Sequence, residues 1–101
     1  MKYQQGDVLF ETVDHNPAYE KIKDGQGIVL AEGETTGHMH RVKERAELYR
    51  DKTGQFYLST MGPVTIVHEE HKPITIPGGF YKVGIVQEYD YIEMQSRKVQ
   101  D

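Results

Sequence analysis

The sequence predicts an all-β fold, a small antiparallel sandwich or barrel of jelly-roll type. Two observations carry that prediction. Turn signals recur at short intervals, at Asp24-Gly25-Gln26-Gly27, Gly33, Gly37, Asp51-Lys52-Thr53-Gly54, Met61-Gly62-Pro63 and Pro77-Gly78-Gly79. The segments between them have the length of strands and are rich in Val, Ile, Tyr, Phe and Thr, residues that suit a pleated, half-buried surface. Short strands at regular spacing, separated by glycine turns, are the pattern of sandwiches and barrels.

The expected strands lie near residues 7–13, 27–31, 36–42, 46–50, 55–60, 63–67, 73–76 and 80–89. Glu47-Leu48-Tyr49-Arg50 and Gln55-Phe56-Tyr57-Leu58 flank a polar loop ending in Gly54, the strongest hairpin signal in the chain. In the last strand the period of two places Tyr81, Val83 and Ile85 on the core face, with Lys82 and Glu88 opposite. Asp90 followed by Glu93 resembles a helix start, and Ile92 with Val99 could share one helical face, so 90–101 reads as a short C-terminal helix or a tail. With 101 residues and 37% hydrophobic content the whole chain, 1–101, reads as one domain with a small core.

Composition removes several classes of function. Sixteen acidic against twelve basic residues give a net charge of −4, which repels a phosphate backbone and argues against general nucleic-acid binding. Cysteine is absent, so any metal must be held by His, Asp or Glu. The N-terminal residues lack the apolar stretch of a secretory signal, and no run approaches the ~20 apolar residues that span a bilayer. The default expectation is a cytoplasmic protein with no membrane association.

Four of the five histidines fall into two pairs, His38-Met39-His40 and His68-Glu69-Glu70-His71. On a strand, His38 and His40 project to one side together with Val42, and the row Val64, Ile66, His68 does the same on its own strand. Both rows look core-facing, so His38, His40 and His68 are expected to converge. Neutral imidazoles with a carboxylate make a divalent-metal site that leaves a position open for water or a small-molecule ligand. The weighted alternative is structural: histidines near strand ends that hydrogen-bond backbone or carboxylates. His15, in a loop, has no expected site role. His68-Glu69-Glu70-His71 is one residue too short for the zinc-protease helix, and the nearby Pro63, Pro73 and Pro77 oppose a helix in any case.

Gly33, His38, His40 and Glu44 resemble the first cupin motif, a glycine followed by His-x-His and a glutamate, with Gly33 one residue closer to the first histidine than usual. Pro77-Gly78-Gly79 resembles the start of the second cupin motif, but Lys82 stands where that motif has its histidine. The resemblance implies a small jelly roll with a divalent metal between its sheets, held by His38, His40 and Glu44 and completed by His68 or His71. Iron, manganese, nickel and zinc are all compatible with that donor set. Three functions compete: a metal-binding barrel; a non-catalytic interaction module or homo-oligomer, such as a phage accessory protein, whose tyrosines form a contact surface; and metal-free acid/base catalysis by paired histidines with Lys82 or Arg41. If the histidines are ligands, replacing both His38 and His40 by alanine is expected to abolish metal binding and leave the fold largely intact.

Overall fold

The computed structural model describes residues 1–30 and 39–85. The strands are β1 (Lys2–Gln5), β2 (Val8–Thr12), β3 (Glu20–Gly25), β4 (Ile28–Val29), β5 (Arg41–Val42), β6 (Ala46–Arg50), β7 (Phe56–Thr60), β8 (Val64–Val67), β9 (Ile74–Ile76) and β10 (Gly79–Ile85). The described residues contain no helix, and so none long and apolar enough to cross a membrane. Gly33, Gly37 and His38, and the expected helix or tail at 90–101, lie outside the described residues.

The strands form two antiparallel sheets, one in the order β1-β2-β10-β7-β6-β3 and the other β4-β5-β8-β9. Each sheet turns one apolar face inward, as the alternation requires. Val8, Phe10, Leu48, Leu58, Tyr81 and Val83 from the larger sheet meet Ile28, Val42, Val64, Ile66 and Ile76 from the smaller in a single buried cluster. This is the expected all-β architecture, two layers packed face to face around a thin core.

Two strands are absent from the sequence-based set, β1 and β3, and both are edge strands. Each carries a single large apolar side chain toward the core, Tyr3 in β1 and Ile22 in β3, with charged or amide residues and the terminal Gly25 elsewhere. Polar edges of this kind discourage pairing with another chain, and they also erase the apolar alternation that announces a strand. Other expectations are corrected in detail. Of the segment 36–42, only Arg41–Val42 among the described residues is strand. Ile85 does not join Tyr81 and Val83 in the core: it is the last residue of β10 and 53% exposed.

The β6–β7 hairpin forms as its sequence predicts, with Leu48 opposite Leu58 and Tyr49 opposite Tyr57. Its loop is organised by one carboxylate. Asp51 Oδ1 accepts hydrogen bonds from the Thr53 N–H at 2.8 Å, the Thr53 hydroxyl at 2.6 Å and the Gln55 N–H at 3.1 Å, and Oδ2 accepts from the Tyr57 hydroxyl at 2.9 Å. Gly54 closes the turn at φ +90°, a left-handed conformation that favours glycine. The hydrogen bond from the Thr53 hydroxyl, followed by those from Tyr57, Gln55 and the Thr53 N–H, lowers the Asp51 pKa from 3.8 to about 2. Between those values the unfolded chain binds more protons than the folded one, so stability rises with pH there. The contribution of Asp51 is fully present above about pH 4 and disappears as the pH falls to about 2. Asp51→Asn is therefore expected to flatten the acid limb of a melting-temperature profile between pH 2 and 5, and an unchanged limb would place the acid sensitivity elsewhere.

Candidate metal centre

Three segments meet at one end of the sandwich: the β1–β2 turn, the residues leading into β5, and the loop joining β8 to β9. The first is a two-residue hairpin turn. Gln5 pairs with Val8, leaving Gly6 and Asp7 as the connection, and Gly6 adopts φ +58°. A side chain at Gly6 would also collide with the His71 ring, so the absence of a Cβ is what seats that imidazole against the turn. His40 directly precedes β5, where its carbonyl accepts the Leu30 N–H at 2.9 Å. His68 and His71 lie in the β8–β9 loop, and the Glu69 carboxylate accepts the Met39 N–H at 3.1 Å, tying that loop to the residue before His40.

Three of the histidines singled out in the sequence are thereby brought together. Ring centroids are 4.3 Å apart for His40 and His68, 4.6 Å for His68 and His71, and 6.0 Å for His40 and His71, the last pair nearly parallel at 13°. Their environments differ. His40 is 1% exposed, and His71 is on the surface.

The hydrogen bonds around His40 fix where its proton lies. Gln5 is 3% exposed, and its side-chain nitrogen donates to the carbonyls of Ile66 at 2.9 Å and Lys72 at 2.8 Å. Carbonyls only accept, so the amide nitrogen must face them and the amide oxygen must face His40. That oxygen stands 2.9 Å from His40 Nδ1, which must carry the hydrogen it donates. In the neutral ring Nε2 then holds a lone pair, and the group it meets is Asp7 Oδ1 at 3.3 Å. Burial, reinforced by the neighbouring His68, lowers the His40 pKa against the opposing pull of Asp7, and so favours the neutral ring. Two acceptors thus face each other at the base of the site. A cation between them satisfies such a contact, as does a proton on Nε2 donated to Asp7.

The other expected ligands are placed differently. His68 Nδ1 accepts the Glu70 N–H at 3.0 Å, which puts the proton of a neutral ring on Nε2. The Glu44 carboxylate accepts the Thr65 N–H at 2.6 Å and the Thr65 hydroxyl at 3.3 Å, and these bonds, the backbone one first, lower its pKa. Glu44 lines a separate cavity of about 320 Å³ with Asp24, Arg45 and Met61. Among the described residues, no group of three or more His, Asp or Glu side chains stands in a ready metal-holding arrangement. His15 packs edge-on against Phe80 and Tyr49, on the face of the larger sheet that points away from the core.

Gln5 and Asp7 were not among the expected site residues. Their signal was the Gly6-Asp7 pair, a turn dipeptide set between Lys2-Tyr3-Gln4-Gln5 and Val8-Leu9-Phe10, which puts the flanking side chains at the tip of a hairpin. A family model described as a domain of unknown function, DUF8820, matches residues 4–86. No curated protein and no solved structure matches the chain.

Proposed function

The chain belongs to the DUF8820 family, whose function is unknown, so its activity rests on its own site, and we propose that it binds one divalent metal ion between His40 Nε2 and Asp7 Oδ1. His71 is the third donor. The observation that carries this reading is the meeting of two acceptors, one of them on a buried neutral ring, at 3.3 Å. Ligand atoms about 2.0–2.2 Å from one tetrahedral ion stand roughly 3.3–3.6 Å from each other, so the gap already has the right width. Gln5 oxygen on the far nitrogen supplies the outer-shell acceptor that metal-bound histidines characteristically use. The third arm requires the exposed His71 ring, which lies against Gly6 and 6.0 Å from the His40 ring, to turn toward the ion.

With nitrogen and carboxylate donors and no thiolate, the site suits zinc, iron, manganese or nickel. Asp7 is 37% exposed, so a bound ion would face solvent on one side and keep a position for water or a small-molecule ligand. The test is elemental analysis of untagged protein equilibrated with each metal and then dialysed. One ion per chain is expected. Asp7→Asn should weaken binding by more than about 100-fold, since outer-shell changes alone cost about 10–100-fold. Protein that retains none of the four metals would assign the contact to a proton shared between His40 and Asp7.

A further inference from the structure

We infer that Gln5 is the positioning residue of this site, holding His40 in the tautomer that aims Nε2 outward and closing the loop that carries His68 and His71. The inference rests on the metal reading above. Its geometry is specific. The two hydrogens of one side-chain amide go to Ile66 O and Lys72 O, which flank residues 67–71 on either side, so a single nitrogen clamps both ends of the histidine loop. The oxygen of the same amide takes the His40 Nδ1 proton. Reversing the amide would set its oxygen against two carbonyls, losing both loop bonds, and its nitrogen against Nδ1, where a bond forms only if the His40 proton moves to Nε2. The orientation of Gln5 and the tautomer of His40 are therefore one choice, made by the backbone of the loop. Because Gln5 extends from the larger sheet to the end of β8 in the smaller, that choice is also tied to the two sheets closing on each other.

The experiment combines two readouts on the full chain, long-range proton–nitrogen correlation NMR of the histidine rings without metal, and zinc affinity measured against a competing chelator. The parent protein should show His40 protonated at Nδ1 and bare at Nε2. Gln5→Leu removes both the acceptor and the clamp, and should shift His40 toward the other tautomer and weaken zinc about 10–100-fold. Gln5→Glu keeps an oxygen facing Nδ1, and should keep the tautomer and hold zinc affinity closer to the parent than Gln5→Leu does, although its melting temperature falls because a carboxylate donates to neither Ile66 O nor Lys72 O. A merely structural glutamine would lower the melting temperature in both variants and move neither tautomer nor affinity, which would overturn the inference. An Nε2-protonated His40 in the parent would overturn it as well, even if Gln5→Leu does not fold. The expected tautomer in a parent that binds no zinc or other metal would instead remove the metal reading and leave Gln5 as the group that sets the His40 proton.

Discussion

His40→Ala is expected to destabilise the fold by roughly 2–4 kcal/mol and to lose the metal at the same time. The ring fills a buried position, and its removal leaves a cavity and an unpaired Gln5 oxygen that no side chain replaces. His71→Ala should behave differently. That ring is exposed, and surface changes usually shift stability by no more than about 0.5 kcal/mol, yet its loss takes away the third donor. Denaturant unfolding and zinc titration on the two variants separate the roles. Equal stability of His40→Ala and the parent would mean that the buried network contributes nothing, and full zinc affinity in His71→Ala would remove His71 from the ligand set. The sequence-level expectation that alanine at His38 and His40 spares the fold therefore does not carry over to His40, because a buried ring whose Nδ1–H is held by Gln5 has a structural role whatever it binds.

Phe10→Ala is expected to destabilise the fold by about 3–5 kcal/mol. Phe10 is 0% exposed and sits in β2 between Tyr3 of β1 and Val83 of β10, at the middle of the inner face. A domain of this size has only about 5–15 kcal/mol of stability in total, and each kcal/mol shifts its melting temperature by about 4–8 °C. The variant should melt more than about 10 °C below the parent. Leu9→Ala is the control, since Leu9 occupies the opposite face of the same strand and is only partly covered. Its melting temperature should fall much less, and comparable losses at both positions would contradict the alternation on which the sandwich rests.

Legibility in the sequence followed the distribution of apolar side chains. The β6–β7 hairpin was readable because Asp51 and Gly54 supply turn chemistry and Leu48 and Leu58 supply alternation on both arms. Tyr81 and Val83 were readable for the second reason alone. The edge strands β1 and β3 were not, since an edge keeps its charged residues and gives up the pattern. The same blindness hid half of the site. His40, His68 and His71 stand out as a rare residue type in pairs, but Gln5 and Asp7 are common polar residues on an edge hairpin, and only the two-residue turn Gly6-Asp7 marks their place. Glu44 stood out by its distance from His40 along the chain, which says nothing about which way a carboxylate turns when a backbone N–H such as that of Thr65 is nearer.

The position of β10 decides when this chain can acquire its shape during synthesis. That strand is the last of the described strands in sequence, yet it lies between β2 and β7, in the middle of the larger sheet. As the chain leaves the ribosome, the β1–β2 and β6–β7 hairpins can each close locally, but they have no edge in common and stay apart as two fragments with their apolar faces incompletely covered. Only when residues through Ile85 have emerged can one strand bridge them, pairing with β2 on one side and β7 on the other. Assembly thus waits for a long-range insertion step, which is slow compared with hairpin closure. Until then the incomplete sandwich exposes strand edges on both halves, the condition in which nascent β proteins depend on protection from other chains.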